Sequence, residues 1–425
     1  MPAGIGLSRD GRLLFAGRAL RTFGFGYLSI ILTLFLRDQG LSTQAIGMVL
    51  TATLIEDALA TTFLAAVADR FGRRRILILT PFLITLAGAV LAVAMNPWLL
   101  MIAAVIGTLS PGGQEAGPFA PLEQAALPNA VRPEVRTRAF AWYNIFGFLP
   151  AALGALAAGA WMAAAQWLGA DKMTAYRILL GIYGASGLLL SLLYSRLSPG
   201  IESEKKPAPA AGAPARTGFM GLHRSRGVVF QLAGLQAVDA LAGGFIIQSI
   251  LVLWFRQRYG VEAEVLGPIF FGTNLLSAVS FLIAARVAER FGLLNTMVFT
   301  HLPSNLLLML VPLMPTLPLA ATVLFLRHVL SQMDVPTRQA YAMVLVDPDE
   351  RSAAAGFITS ARAMAQAVAP SLTGRILSAA SVTGLPFFLA GGMKSAYDLA
   401  LYFRFRNVPL PEEPKGAGEK VAARR

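Results

Sequence analysis

The chain has 425 residues, of which 56% are hydrophobic and only 14% are charged. A soluble globular domain carries about 25% charged residues, so this composition excludes an ordinary soluble protein. The formal net charge of +13 does not indicate nucleic-acid binding, because Lys and Arg gather in short connections between apolar runs instead of on one polar face. There is no cysteine, which excludes disulfides and cysteine metal sites.

About twelve apolar runs of roughly twenty residues follow one another, each long enough to cross the ~30 Å hydrocarbon layer as a helix. The basic N-terminal stretch leads into a run that continues as a full span, so we assign it to the first helix and not to a cleaved signal peptide. The predicted spans are 15–36, 44–67, 76–95, 98–126, 139–165, 176–195, 228–255, 265–287, 295–314, 318–346, 354–379 and 382–403.

The spans form two groups of six, separated by a stretch rich in Pro, Ala, Lys and Glu at 201–218. This stretch has too little apolar content to pack and is typical of a flexible linker. The sequence therefore predicts an all-α membrane protein of two pseudo-symmetric six-helix bundles. Its predicted parts are an N-terminal bundle at 1–196, a cytoplasmic linker at 197–226, a C-terminal bundle at 227–406 and a cytoplasmic tail at 407–425.

The basic residues indicate the orientation of the chain. If every run crosses once, the Lys and Arg residues after spans two and four, in the linker and at the C-terminus all fall on one side. By the positive-inside rule that side is the cytoplasm, and we expect a multi-pass protein of the cell (cytoplasmic) membrane with both termini inside. The opposite side holds few basic residues, chiefly Arg37, Lys172, Arg256 and Arg258.

An internal repeat relates the two bundles. The segment 27–50 resembles 246–270, and two further segments match beyond it. Two parallel six-helix halves of this kind commonly place a binding site at their interface, near the membrane midplane. The residues that stay in register are Gly40/Gly260, Gly47/Gly267, Gln124/Gln339 and Arg136/Arg351.

The segment AAVADRFGRRR at 65–75 resembles the loop 2–3 signature of the major facilitator superfamily, Gly-x-x-x-Asp-Arg-x-Gly-Arg-Arg, with Ala65 in place of the first glycine. The resemblance extends over essentially the whole chain, and the signature looks most like that of the drug–proton antiporter branch. It implies that family's fold and a conformational latch at this loop. The alternative is that these residues only set topology and cap a helix. The implied latch residues are Asp69, Arg70, Gly72, Arg73 and Arg74.

A second antiporter mark, Gly-Pro-x-x-Gly-Gly in span five, is degenerate in this chain. The segment at 147–159 keeps Pro150 and Gly154 but has Leu149 and Leu153 where glycines belong. The transport direction therefore stays open, and the proline is equally explained as a helix kink that neighbouring helices tolerate.

Several ionisable residues lie within the spans, where each costs about 2.5–3.5 kcal/mol on insertion scales and therefore usually faces a cavity or another charge. We consider Glu56, Asp57 and Asp239 as proton-coupling residues, because a carboxylate in a poorly hydrated cavity binds its proton more tightly. Glu56 and Asp57 point about 100° apart on a helix, so only one of them need face the cavity. A carboxylate paired with a neighbouring Arg would instead be structural.

Further intramembrane charges are candidates for a substrate cavity. Glu123 and Arg338 are counterparts in the repeat, which suggests an inter-bundle pair that breaks during alternating access; the alternative is pairing within each bundle. Lys394 and Asp398 have the spacing of a local pair, and Arg21 is expected to extend toward the headgroups. Glycines and prolines at 110–121 favour a discontinuous span four that lines the cavity, or a simple packing kink. The cavity candidates are Glu115, Glu123, Arg327, Asp334, Arg338 and Arg362.

The expected function is transport of a small molecule by alternating access, driven by protons or another coupling ion. Efflux by antiport is favoured, with uptake by symport as the alternative; a receptor or scaffold that moves nothing is the alternative from another class. The three histidines do not cluster and no phosphate loop is present, so we expect no metal, no cofactor and no ATP-driven step. We expect no enzyme activity and no nucleic-acid partner, and a monomer in the lipid bilayer.

Overall fold

The computed structural model describes residues 7–113, 119–132, 135–202, 222–347, 349–379 and 384–407. Most of the predicted linker and tail, together with Glu115, lie outside the described residues. Within the described ranges the regular elements are all helices. The prediction of an all-α membrane fold in two six-helix bundles is confirmed.

The N-terminal half contains eight α-helices. Their bounds are α1 Arg9–Asp38, α2 Thr43–Phe71, α3 Arg73–Leu79, α4 Pro81–Val93, α5 Pro97–Ile106, α6 Phe119–Ala126, α7 Arg136–Trp167 and α8 Lys172–Ser195. The C-terminal half also contains eight. Their bounds are α9 Arg226–Gly244, α10 Gln248–Tyr259, α11 Ala263–Phe291, α12 Leu293–Leu310, α13 Leu317–Leu330, α14 Asp334–Leu345, α15 Arg351–Ser378 and α16 Leu385–Phe405.

Eight helical stretches of the described part are long and apolar enough to cross a membrane, judged by length and composition. The other predicted spans fall short for two physical reasons. Spans four and ten are broken into short pieces, α5 with α6 and α13 with α14. Spans eleven and twelve are less apolar over a membrane-spanning length, because α15 is rich in Ala and Ser and α16 carries Lys394 and Asp398 near its middle.

Three of the predicted spans are interrupted in mid-membrane. The break in span four, between α5 and α6, was expected from its glycines and prolines, and Thr108 adopts a φ of 51° there. The breaks between α9 and α10 and between α13 and α14 were not expected. Gly243 and Gly244 weaken the end of α9, while Pro336 in the first turn of α14 favours a new helix start.

The repeat seen in the sequence has the same backbone conformation in both halves. Gly40 and Gly260 follow α1 and α10 with φ of 90° and 65°. Gly72 and Gly292 join α2 to α3 and α11 to α12 with φ of 99° and 83°. Because a side chain is strained at such angles, glycine is required at these turns in both copies.

The two halves contact each other along α2 with α15 and along α7 with α11. The backbones touch where glycines face each other: a Cβ atom added at Gly47 would lie 2.9 Å from the Cα of Gly374. The same contact recurs on the other side, where a Cβ at Gly267 would lie 2.9 Å from the Cα of Gly159. The interface therefore keeps the pseudo-twofold relation of the repeat.

The buried apolar residues show on which face the halves are joined. One large core contains residues of the N-terminal half together with α10, the start of α11 and the ends of α12 and α15. A second core is confined to the C-terminal half, from Leu222 to Phe405, at the helix ends nearest the linker. The halves thus share a core on the face opposite the linker, and the C-terminal half has its own core on the linker face.

Candidate functional site

A cavity of about 350 Å³ lies between the halves. All three helix breaks contribute to its wall, which agrees with the rule that irregular backbone within a membrane lines a cavity or is buried in protein. Its polar lining includes carboxylate, amide and cationic groups. The polar side chains are Asp57, Ser110, Gln248, Asn274, Ser277, Arg327, His328, Gln332, Gln366 and Lys394.

A chain of hydrogen bonds crosses from one half to the other beside this cavity. Gln248 Nε2 donates to Ser29 Oγ at 2.7 Å, and Asn274 Nδ2 donates to Gln248 Oε1 at 3.2 Å. Ser249 adds two bonds, from its backbone N–H to Pro111 O at 3.0 Å and from its hydroxyl to Ser29 O at 3.0 Å. These bonds hold the broken helices of the two halves against each other.

Four charged residues close the face opposite the linker, and we call them the gate cluster: Asp38, Lys172, Arg256 and Glu262. Asp38 bonds Arg256 at 2.5 Å and Lys172 at 3.0 Å. Glu262 also bonds both cations, each at 3.0 Å. Asp38 and Lys172 belong to the N-terminal half and Arg256 and Glu262 to the C-terminal half, so each acid bridges the two halves.

The C-terminal half contains a buried charge cluster centred on Asp239 of α9. Its carboxylate, 3% exposed, bonds Lys394 at 2.6 Å, Arg338 at 3.0 Å and Arg362 at 3.1 Å. Asp334 bonds Arg338 at 2.7 Å. Three of the predicted cavity residues and one proton-coupling candidate therefore meet here, and Lys394 connects the cluster to the cavity wall.

The predicted local pair between Lys394 and Asp398 is wrong. Lys394 points to Asp239 on α9, and Asp398 instead bonds His301 Nδ1 at 2.9 Å and Asn305 Nδ2 at 2.8 Å on α12. The neighbouring helices offer each side chain a buried partner, and this tertiary packing overrides the spacing along α16.

The N-terminal half contains a second buried cluster, centred on Glu123 of α6. Arg21 holds both carboxylate oxygens, at 3.0 and 2.9 Å, and neither side chain has any exposed surface. The hydroxyls of Tyr143 and Tyr194 also donate to this carboxylate. Arg21 therefore does not extend to the headgroups, because a buried carboxylate stabilises its charge inside the bundle.

The suggested pair between Glu123 and Arg338 is not formed in this structure. Glu123 is held by Arg21 within its own half, and Arg338 is held by Asp239 and Asp334 within the other. The repeat places the two residues at equivalent positions, but each half supplies the opposite charge from its own helices.

The adjacent acids of α2 face different surroundings, as their angular separation predicts. Asp57 lines the central cavity. Glu56 lines a separate apolar groove of about 550 Å³ between α2 and α5, with Leu59 and Phe63 among its neighbours. Its Oε2 atom has no hydrogen-bond partner among the described residues.

The loop 2–3 residues contact the end of their own half, at and after α8. The backbone N–H groups of Arg73 and Arg74 donate to the carboxylate of Glu202 at 2.8 and 3.0 Å, which caps α3. The Arg74 side chain donates to Leu197 O and Ser195 O, both at 2.7 Å. The Asp69 side chain lies outside the description and Arg70 is exposed, so the latch stays a prediction.

Two pseudo-symmetric six-helix bundles around a central polar cavity define a multi-pass membrane transporter. Residues 14–370 and, in an overlapping second match, 240–425 match the Major Facilitator Superfamily, and the chain belongs to this family. It is accordingly a secondary transporter, and a small-molecule substrate and a bilayer are implied by its fold.

Relatives match over nearly the full length. The uncharacterized membrane protein YJR124C of Saccharomyces cerevisiae is 26% identical, over 94% of this chain and 95% of its own. A mutant of the nucleoside transporter NupG has a TM-score of 0.72 at 12% identity, covering 94% of this chain and 100% of its own. The D-xylose–proton symporter has a TM-score of 0.71 at 14% identity, covering 94% and 98%. At such identities the solved structures show the fold alone.

Proposed function

We propose that this protein moves a small polar molecule through the central cavity by alternating access, coupled to protons, with Asp57 as the carboxylate that binds and releases the proton. The observation that carries the proposal is the position of Asp57. Among the described residues it supplies the one carboxylate of the cavity lining. A group in that position can exchange a proton with the water that enters with the substrate.

The other two candidates are less suitable for this role. Three cations surround Asp239, and its carboxylate is almost fully buried, so its charge is already neutralised by the protein. Glu56 faces the apolar groove, away from the cavity. A proton bound there would not meet the substrate.

The gate cluster supports alternating access. Its ion pairs close the face opposite the linker. On the linker face the C-terminal half has a hydrophobic core of its own, so the two halves are not joined there by a shared core. With the orientation expected from the basic loops, the cavity of this structure would communicate with the cytoplasm. Transport then requires the gate pairs to break and the linker face to close.

The resemblance of loop 2–3 to drug–proton antiporters favours efflux by antiport as the direction. The alternative is uptake by symport, and a measurement of internal pH distinguishes the two directions. In proteoliposomes with a pH-sensitive dye inside, an externally added substrate that enters by antiport makes the lumen more alkaline. A substrate that enters by symport makes it more acidic.

Asp57→Asn tests the coupling residue, and Glu56→Gln on the same helix is its matched control. We expect Asp57→Asn to lose substrate-induced proton movement but to keep exchange of labelled substrate, whereas Glu56→Gln keeps both. Proton movement that survives in Asp57→Asn would reject Asp57. If a compound that the protein demonstrably transports moves no protons in either direction, proton coupling itself is wrong.

A further inference from the structure

Arg327 is the cation of the cavity lining that forms no ion pair within the described part of the chain. It lies near the end of α13, is only 8% exposed, and lines the cavity. Among the described residues it forms no ion pair with a carboxylate, and its Nε atom has no hydrogen-bond partner. Its Nη1 atom lies 3.4 Å from Nε2 of His328.

The neighbouring histidine presents an acceptor and not a second charge to this guanidinium. His328 Nδ1 lies 2.8 Å from the backbone oxygen of Leu324, a contact in which Nδ1 must carry the proton. Nε2 of the neutral ring is then an acceptor that faces Arg327. The ring positions the guanidinium without neutralising it.

The acids of the same half are already occupied. Asp239 is shared by Lys394, Arg338 and Arg362, and Asp334 is bonded to Arg338. A buried guanidinium that no carboxylate contacts directly is costly, so within a membrane it usually marks a ligand or ion pathway. An anionic ligand group would supply the missing charge through two parallel N–H···O bonds.

We propose, resting on the transport function above, that the substrate is a small organic anion whose carboxylate or phosphate binds Arg327. The cavity of about 350 Å³ limits its size. The amide side chains of Gln332, Gln366 and Asn274 line the same cavity and can donate to further oxygens of the substrate.

Four aromatic probes of similar size test the charge requirement without any gradient: benzoate, phenyl phosphate, benzylamine and benzyl alcohol. Bound ligand raises the midpoint of thermal unfolding, and we expect benzoate or phenyl phosphate at millimolar concentration to raise it by about 2 °C. Whichever anion gives the larger shift identifies the preferred acidic group. Benzylamine and benzyl alcohol should give no shift.

Arg327→Gln should abolish the shift, and Arg327→Lys should keep part of it. Arg375→Gln removes an exposed arginine of α15 and should change nothing. Asp57→Asn should keep or increase the shift, because it removes a negative charge from the lining. The proposal is overturned if benzylamine stabilises as well as the anions, if no probe stabilises, or if Arg327→Gln responds like the wild type. Binding without transport would instead reject the proposed function.

Discussion

The two halves share a backbone design but use their buried charges differently. In the N-terminal half, Glu123 and Arg21 form a closed pair with no exposed surface, completed by two tyrosine hydroxyls. In the C-terminal half, Asp239 is shared by three cations, and one of them, Lys394, lines the cavity. The first cluster joins α1, α6, α7 and α8 into one unit, whereas the second connects the helices of its half to the wall of the central cavity.

This difference teaches how a repeated scaffold can acquire unequal roles. Glu123 and Arg338 are counterparts in the repeat and carry opposite charges, yet each is neutralised within its own half. A fully buried pair resists change, because removing one partner leaves an isolated charge in a medium of low dielectric constant. A cluster that reaches the cavity can respond to a ligand.

The largest loss of stability is expected for Glu123→Ala. It removes the carboxylate that binds both terminal nitrogens of the buried Arg21 guanidinium, and we expect a loss of about 3–5 kcal/mol in the free energy of unfolding. Denaturant unfolding of the purified protein in detergent measures it. Replacing Arg21 and Glu123 together by leucine should recover at least half of the loss. A loss below about 1 kcal/mol for Glu123→Ala would contradict the description of this cluster as a sealed structural unit.

A smaller loss of stability is expected for Asp239→Asn, although three cations lose their common partner. Arg362 is 26% exposed and Lys394 lines the cavity, so water can solvate both charges. We expect a loss of about 1–3 kcal/mol in the same unfolding measurement. Adding Lys394→Met should reduce this loss. If Asp239→Asn destabilises the protein as much as Glu123→Ala, the contrast between the two clusters is wrong.

The smallest change in stability is expected at the gate cluster. Its side chains are partly exposed, so Asp38→Asn should alter the free energy of unfolding by less than about 1 kcal/mol. It should nevertheless expose the cavity to the face that the gate cluster closes, which we call the gate side, because Arg256 loses its acidic partner in the other half.

A single cysteine at Ser277 measures this exposure, since the chain has no cysteine of its own. In Asp38→Asn the thiol should react faster with a membrane-impermeant maleimide added to the gate side. Glu264→Gln, close to the cluster but outside any ion pair in the described part, is the control and should not change the rate. Equal rates in all three proteins would show that the gate pairs do not limit access.

Much of the fold could be predicted from the sequence, because its determinants are local. Apolar runs define the spans, and Gly40/Gly260 and Gly72/Gly292 define the turns in both halves. The different orientations of Glu56 and Asp57 follow from helix geometry alone, but which of them faces the cavity depends on how α2 is rotated in the bundle.

The partners of the buried charges could not be predicted with the same success. Arg21 and Glu123 are 102 positions apart in the chain, and only the folding of the N-terminal half brings them together. The available signal was the arginine within an apolar run, because a buried arginine needs an acidic partner from another helix. The capping of α3 by Glu202 gave no signal, because it depends on where the chain turns after α8.

The paired glycines between the halves have a mechanical consequence. Gly47 with Gly374 and Gly267 with Gly159 bring backbones together at two points, one on each side of the cavity. Two points define a line, and a rigid half that tilts about it opens one mouth while it closes the other. Because glycine has no side chain, such a tilt does not force side chains to move past each other at these two contacts. The close backbone contacts at these two glycine pairs therefore allow the halves to tilt against each other as rigid bodies about the line that joins them.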